Sequence, residues 1–447
     1  MHTEQRHEAN GTSPAETARL LSSVLLPTVA RGAIVRRPMG EALATATGTD
    51  HRIVSHLRAL RERHGEDPLP LKYAGRRIAL VLSAEDVRTL LQGTPDPFSP
   101  GGAEKRGALS QFQPHGVLIS DQDERTRRRK ANEEALVPSR AIHPDASAIA
   151  GHADEEARAL VAALRNAGTR GGVLDWSRFS ESFDALTRRV VFGGFAVGDR
   201  ETTEMLRTLR ARANWSYLFP NSDGLRKRFL ERVRENVDRA EPDSLAARLG
   251  SPGSAERPED QVAHWLFAFD AAAIATYRAL ALLTSSAPAA EAARAEGLDE
   301  DGTDLPLLRA TLRESVRLWP TTLVVIREST RQTRWRDTTI DSATSFLVLS
   351  AFFHRDSSRL SYADSFEPDI WTDGRADDEP GVLPFSYGPA GCPGRELVPL
   401  TVSLFLRSLL RGGAPHRVDD APPLRSPGMP ASLNHFDLRF SYANTSV

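Results

Sequence analysis

The segment 384–395 constrains this chain more than any other, because it holds the only cysteine among 447 residues. Phe385 stands seven residues before Cys392, Gly388 four before it and Gly394 two after it. With this composition, such a frame is expected around a given residue by chance about two times in ten thousand. The frame therefore predicts a loop built around the sulfur. The alternative is an inert structural cysteine in a Gly/Pro turn.

The chemistry of this loop follows from its glycines and from the segment after it. Glycines let the main chain approach a cofactor closely and turn N–H groups toward the sulfur. Arg395–Leu410 is apolar and predicts a helix, which places Cys392 just ahead of a helix N-terminus. Both features favour a thiolate. A thiolate shielded on one side by Phe385 suits the axial ligand of a haem iron.

The segment 384–395 resembles the haem-ligand loop of the cytochrome P450 family. The resemblance implies a haem b cofactor whose iron is ligated by Cys392. It also implies that Phe385, Gly388 and Gly394 lie against the cofactor.

The fold implied by the resemblance is mainly α (α+β), with a large helical part and a smaller β-rich part. Alternating residues over Leu69–Leu82 predict a hairpin of the smaller part, which the segments after Arg327 complete. The Gly- and Pro-rich stretch Gly93–Gly116 predicts a long structureless loop, and the resemblance implies that it covers the substrate. We expect one domain over residues 1–447, with a poorly ordered segment at 1–19.

The overall composition excludes several classes of protein. The net charge is −2, so no global field favours nucleic acid or an anionic membrane. One cysteine permits no internal disulfide and fits a reducing cytosol. The apolar stretch Leu20–Ala33 contains Pro27 and is too short for a bilayer, and no later segment is expected to span one. We therefore expect a cytoplasmic protein without a membrane anchor.

A basic run lies on the helix predicted over Asp121–Leu136. Such a run is most often a solvated helix face, and the absence of interleaved aromatic residues weakens a nucleic-acid role. Arg125 and Arg129 are four residues apart and share a face. The resemblance implies that both bind haem propionates, Arg125 in the place of the family's histidine. The other basic residues then offer a docking face for an acidic electron-transfer partner.

The stretch Glu259–Thr284 predicts a long, central, buried helix. The resemblance places Ala268 at a small-residue position over the haem. Ala271 and Ala272 stand where the family has an acid and a threonine that deliver protons, so this chain lacks both groups there. Asp270 is the only charge within the apolar run Phe267–Ala273. It either pairs with an arginine, which is favoured, or serves as a displaced catalytic acid.

A second predicted helix, Leu305–Leu318, carries Glu314 and Arg317 three residues apart. Such a pair is most often a surface salt bridge. The resemblance instead implies a structural pair that bonds to the loop cradling the haem. It further implies that Arg327, on a predicted strand, contacts a propionate and that three residues before it face the substrate: Val324, Val325 and Ile326.

Two more positions depart from the family pattern. Ile370 replaces an arginine that completes the network of Glu314 and Arg317, and Ala390 replaces a propionate-binding cation. The resemblance implies a monooxygenase of specialised metabolism that oxidises an apolar small molecule with electrons from separate ferredoxin and ferredoxin-reductase partners.

Two alternatives stay open from the sequence. The alanines at 271 and 272 suit a non-hydroxylating haem-thiolate enzyme, driven by peroxide or performing rearrangement or oxidative coupling. A haem-binding sensor or scaffold without turnover is the other alternative. A hydrolase is set aside, since the chain has no Gly-x-Ser-x-Gly elbow and no His-Glu-x-x-His signature.

Overall fold

The computed structural model describes residues 12–32, 34–73, 75–166, 172–216, 220–249, 257–298 and 302–442. Helices dominate this part of the chain, and their bounds are α1 (Pro14–Leu20), α2 (Leu26–Arg31), α3 (Pro38–Ala46), α4 (Thr49–His64), α5 (Ala84–Gln92), α6 (Ala103–Leu109), α7 (Gln122–Leu136), α8 (Ala146–Arg165), α9 (Trp176–Phe192), α10 (Arg200–Ala213), α11 (Asp223–Asp238), α12 (Leu245–Leu249), α13 (Pro258–Thr284), α14 (Ala287–Gly297), α15 (Pro306–Leu318), α16 (Ser350–His354) and α17 (Leu397–Arg411). A π-helical turn, Leu21–Leu25, joins α1 to α2, and three 3₁₀ turns lie at Gly194–Gly198, Pro368–Trp371 and Gly388–Ala390.

The strands are short, and their bounds are β1 (Leu69–Tyr73), β2 (Arg76–Leu80), β3 (Phe98–Ser99), β4 (Val173–Leu174), β5 (Val324–Ser329), β6 (Thr333–Trp335), β7 (Thr338–Ile340), β8 (Thr344–Leu349), β9 (Pro415–Arg417) and β10 (Phe440–Tyr442). The largest sheet has the order β1-β2-β8-β5-β3, in which only β2 and β8 run parallel. A second sheet has the order β4-β10-β9, and β6 pairs with β7.

Two hydrophobic clusters correspond to the helical part and the sheet part. The larger cluster surrounds α13, whose residues from Ala272 to Leu283 are all buried, and packs it against α9, α15 and α17. The smaller cluster lies between the five-stranded sheet, α4 and α5. The mainly helical fold with a smaller strand-rich part is thus confirmed.

The helix α13 is long and apolar enough to cross a membrane by composition, contrary to the sequence expectation, but 78% of its most apolar window is buried inside the protein. It is therefore packed as a core helix.

Two expectations for irregular segments are wrong. Residues 1–11 lie outside the described part, but Pro14–Leu20 is helical, because Ser13 and Glu16 form a reciprocal capping box. The stretch 93–116 is not structureless either, since it contains β3 and α6. The hairpin is confirmed as β1 and β2, which pair antiparallel with Leu71 opposite Ile78.

Candidate functional site

The cysteine loop is fixed by its own backbone and by α5. The Cys392 N–H donates to the Phe385 carbonyl oxygen at 2.9 Å, and the Gly391 N–H donates to the Gly388 carbonyl oxygen at 2.8 Å. Gly388 has φ +69°, and a Cβ there would lie 2.4 Å from the Leu91 carbonyl oxygen. Only glycine fits that close approach, so the spacing seen in the sequence has a packing cause.

The electrostatics at the sulfur differ from the expectation. Burial raises the pKa of the Cys392 thiol, although the Gly394 N–H and the charges of Arg129 and Arg395 act to lower it. The following helix begins at Leu397 rather than at Arg395, so its N-terminus is farther from the sulfur than predicted. The loop alone does not favour a thiolate; a bound metal ion would supply the missing stabilisation.

Arg129 supports the loop directly. Its Nη1 donates to the Gly391 carbonyl oxygen at 2.7 Å, and its Nε donates to Glu133 Oε1 at 2.6 Å. The sequence pointed to a propionate contact for Arg129, whereas these bonds make it a tie between α7 and the loop. The carbonyl that it binds has no signal in the sequence.

Three cations converge beyond Arg129. Arg125 and Arg327 are buried, and the charge of Arg125 acts with burial to lower the pKa of Arg327 to about 10. Burial and the charges of Arg327 and Arg125 lower the pKa of Lys105 to about 7. Within the described residues, none of the three forms an ion pair with a carboxylate. Such a cluster is a site for an anion, and paired carboxylates fit it.

Sequence reasoning missed Lys105, which lies on α6 inside the stretch expected to be a loop. Its neighbours point outward: Glu104 accepts from Arg76 at 2.9 Å, and Arg106 lies 3.9 Å from Asp121. Lys105 points inward and supplies a positive charge that the loop lacks at Ala390. A single lysine in a Gly-rich segment has no periodic pattern that would identify it.

One face of α13 is left partly open while the rest of the helix is buried. His264, Phe267, Ala268 and Ala271 are half-buried, and their spacing places them on one helical face. Ala272 is buried, and its carbonyl oxygen accepts from Thr276 Oγ1 at 2.7 Å. The small side chains at 268 and 271 leave space beside the helix, and neither can hold a proton.

Asp270, also half-buried, is bound by a neighbouring helix. It forms an ion pair with Arg210 of α10, a buried side chain whose guanidinium also lies 5.2 Å from the Phe267 ring centre. The structure therefore shows the arginine pairing that the sequence favoured over a displaced catalytic acid.

Glu314 and Arg317 form a fully buried ion pair, with Arg317 Nε 2.6 Å from Glu314 Oε1. Arg317 also donates to three carbonyl oxygens, those of His354, Ala363 and Ser365. The pair thus braces the segment 354–371 instead of contacting the cysteine loop itself.

His354 carries the connection onward to the cysteine loop. Its Nε2 accepts from the Leu383 N–H at 2.9 Å, just before that loop begins.

The strand predicted before Arg327 is observed as β5, and it carries the three residues that the resemblance places near the substrate. Val324, Val325 and Ile326 are half-buried on β5 and pack against the smaller cluster. Ile326 pairs with Leu347 of β8. The aromatic residues Tyr217 and Phe219, which the sequence offers either for a substrate entrance or for the core, lie outside the described residues.

A cytochrome P450 family model matches this chain over residues 293–412. A probable cytochrome P450 12c1, mitochondrial, of Drosophila melanogaster is 31% identical over 123 residues, 25% of this chain and 24% of the relative. Sterol 26-hydroxylase, mitochondrial, of Rattus norvegicus is 30% identical over 124 residues, 25% of this chain and 22% of the relative. The chain thus matches about a quarter of the length of these curated relatives.

Solved structures extend the likeness to most of the chain. A crystal structure of a cytochrome P450 has a TM-score of 0.68 at 18% identity, covering 88% of this chain and 98% of that one. The haem domain of cytochrome P450DA has a TM-score of 0.69 at 17% identity, covering 88% and 91%. The fold is that of haem proteins of this type. The family match over residues 293–412 includes the cysteine loop, so this region of the chain is similar to the cytochrome P450 family.

The residues present fit the haem b that this family and fold imply. Cys392 offers a sulfur in a rigid loop, and the buried cations Arg125 and Arg327, with Lys105, offer partners for two propionates. Phe385 is half-buried beside the loop, and Ala268 lies on the open face of α13. Cys392 would hold the iron, and these cations would hold the carboxylates.

Proposed function

We propose that this protein is a haem-thiolate monooxygenase-type oxidoreductase acting on a mainly apolar small molecule. The single observation that carries the proposal is the cysteine loop, fixed by glycine packing at Gly388 and held by Arg129 from α7. When bound, a thiolate-ligated haem supplies oxygen activation with cleavage of the O–O bond. The chain's own residues orient the cofactor and limit which molecules reach it.

The lining near the proposed reaction space supports an apolar substrate body. Phe267 lies 5.3 Å from Phe112 between ring centres, and Val324 and Ile326 add aliphatic surface on the sheet side. In this proposal, the guanidinium N–H groups of Arg125 and Arg327 bind the carboxylates of the cofactor. Charged groups thus hold the cofactor, while apolar groups receive the substrate.

The proposed electron source is a separate ferredoxin-type partner in the cytoplasm. Arg127 and Lys130 are exposed on α7, the helix that also contacts the cysteine loop through Arg129. An acidic partner seated on this face would lie on the side of the sulfur ligand. Raising the ionic strength is expected to slow reduction, because exposed charge pairs are screened.

A second candidate is oxidation driven by peroxide, favoured by one observation. Neither Ala271 nor Ala272 can hold a proton, and the nearby carboxylate of Asp270 is paired with Arg210. Peroxide itself brings the electrons and protons that the reaction with oxygen would need, so it does not depend on proton delivery by these side chains. Product formed with peroxide alone, and not with NAD(P)H and surrogate ferredoxin partners, would select this candidate.

The proposal is tested by the absorption spectrum of the reduced protein with carbon monoxide. The wild type is expected to show the strongly red-shifted band of a thiolate-ligated haem, and Cys392→Ser is expected to lose it. Ala390→Ser, a change two residues away in the same loop, should keep the band. A wild type without the band, or a Cys392→Ser variant that retains it, would refute the proposal.

A further inference from the structure

We propose that His264 is a substrate-positioning residue, whose Nε2–H donates a hydrogen bond to a carbonyl oxygen on an otherwise apolar substrate. This inference rests on the proposed function and specifies its substrate class. It assigns the polar end of the substrate to one turn of α13.

The position of His264 places it at the reaction space. It lies four residues before Ala268 and seven before Ala271, on the same half-open face of α13. The helical rise of about 1.5 Å per residue puts His264 roughly 6 Å and 10.5 Å from these two positions along the axis. A group bound at His264 therefore directs the rest of its molecule along the small side chains.

The hydrogen bonding of His264 leaves one nitrogen for a ligand. With the Gln113 amide oriented so that its Nε2 lies 2.9 Å from His264 Nδ1, Nδ1 is the acceptor and we assign the proton to Nε2. Gln113 is fully buried, so it holds the imidazole firmly. Within the described residues, no hydrogen bond occupies His264 Nε2. The ring thus presents an oriented donor.

The charge state of His264 favours a neutral acceptor. Burial and the charge of Lys105 lower the pKa of His264 to about 4, so the imidazole is neutral at physiological pH. A neutral N–H donor satisfies a carbonyl oxygen without bringing a charge into an apolar space. A hydrocarbon of the same shape would leave that donor unpaired, which costs affinity.

The surroundings of His264 fit the apolar body of a substrate. The His264 ring lies 5.9 Å from the Phe267 ring, which in turn contacts Phe112. These rings form a wall directly beside the donor. The carbon to be oxidised would then lie on the order of 6–10 Å from the carbonyl oxygen, the distance from His264 to Ala268 and Ala271.

The test compares two probes that differ mainly in one oxygen, 4-phenyl-2-butanone and butylbenzene, with the haem-loaded protein. Dissociation constants are measured by calorimetry and by the change in haem absorbance. The wild type is expected to bind the ketone about tenfold more tightly than the hydrocarbon. His264→Leu should remove that preference, because the ketone loses its hydrogen bond and butylbenzene no longer leaves a donor unpaired.

Two further variants separate a donor from a merely structural histidine. His264→Gln retains an N–H donor at nearly the same reach and should restore most of the preference. Phe267→Leu alters the apolar wall and should weaken both probes alike. Three results would overturn the inference: the wild type binds the two probes equally, it binds neither, or the preference survives in His264→Leu.

The carbon monoxide spectrum distinguishes this failure from failure of the proposed function. If the wild type shows the thiolate band but no preference for the ketone, only the role of His264 is wrong. If the band is absent, the proposed function is wrong, whatever the probes show.

Discussion

At the scale of single residues, the buried pair Glu314–Arg317 is saturated despite the loss of an arginine at Ile370. Each Glu314 oxygen accepts two bonds: Oε1 from Arg317 Nε and the Trp371 indole, and Oε2 from Arg317 Nη2 and the Glu367 N–H. Ile370 is fully buried among apolar neighbours. The sequence predicted a weakened network here, whereas an indole and a main-chain N–H occupy the acceptor sites that an arginine could have used.

We predict that Glu314→Gln strongly destabilises the fold. Among the described residues, Glu314 is the ion-pair partner of a guanidinium that is 0% exposed, so the change leaves the Arg317 charge buried without compensation. The expected loss is about 3–5 kcal/mol of unfolding free energy, measured by chemical denaturation. Glu134→Gln breaks an exposed pair with Lys130 and should cost at most about 0.5 kcal/mol. Equal effects of the two changes would contradict the network described here.

Lys105 supports a prediction about cofactor retention. If its ammonium binds a propionate, Lys105→Gln should release haem about tenfold faster, measured as haem transfer to apomyoglobin. Lys105→Arg keeps the charge and should release haem at nearly the wild-type rate. Adding Ala390→Arg to Lys105→Gln should slow release again, because it returns a cation to the loop. Unchanged haem loss in Lys105→Gln would show that this lysine does not hold the cofactor.

At the scale of elements, α13 divides its functions between faces. The face with Ala268 and Ala271 is half-open, whereas Asp270 is turned toward α10 and paired with Arg210. Adjacent helical positions point about 100° apart, so an acid displaced by one residue cannot replace one on the open face. The helix therefore has alanines at 268 and 271 on its half-open face and a charged contact to its neighbour at Asp270.

We predict that Asp270→Asn reduces stability without changing the haem spectrum. The Arg210 guanidinium is buried and would lose its ion-pair partner, at a cost of about 1–3 kcal/mol in unfolding free energy. Asp238→Asn, which breaks an exposed pair with Arg234, should change stability by less than about 0.5 kcal/mol. Unaltered stability together with a lost oxidation activity in Asp270→Asn would instead favour a proton-transfer role.

At the scale of the whole molecule, the sequence predicted the helices, strands and loop that show as a periodic apolar pattern or as a fixed spacing of residues. The helix α13 and the hairpin β1–β2 follow from apolar patterning, and the frame of Cys392 follows from glycine packing. Contacts made by single side chains to residues distant in the sequence were not predictable: Arg129 to the Gly391 carbonyl, and Gln113 to the His264 side chain. The direction of the pKa shift at Cys392 was also missed, because burial depends on the packing of the complete chain.

The effect of acid on stability is also a property of the complete chain, because buried histidines and buried carboxyls change the unfolding free energy in opposite directions. Burial lowers the pKa of His264 to about 4, that of His354 to about 3 and that of His435 well below its usual value. Burial raises the pKa of Asp184 and of Asp260 to about 6. Between pH 6 and 4, the histidines bind protons mainly when unfolded and the carboxyls mainly when folded. Acid therefore destabilises through the histidines and stabilises through the carboxyls.

We predict that His354→Gln makes the protein more resistant to acid. Burial and the charges of Arg317 and Arg355 depress the folded pKa of His354, while its bonds to Arg317 and Val316 act in the opposite direction. The unfolded state therefore binds one more proton between pH 6.5 and about 3, and stability falls as the pH is lowered through that window. The slope due to one such proton is about 1.4 kcal/mol per pH unit.

The glutamine keeps an oxygen that can accept from the Leu383 N–H, but it does not titrate. The slope of unfolding free energy against pH, measured by urea denaturation between pH 6 and 4, should therefore decrease by about one proton. His51→Gln, on the exposed side of α4, serves as the control and should leave the slope as in the wild type. An unchanged slope in His354→Gln would mean that this imidazole takes up a proton while folded, and that the tie from α15 to the cysteine loop withstands its charge.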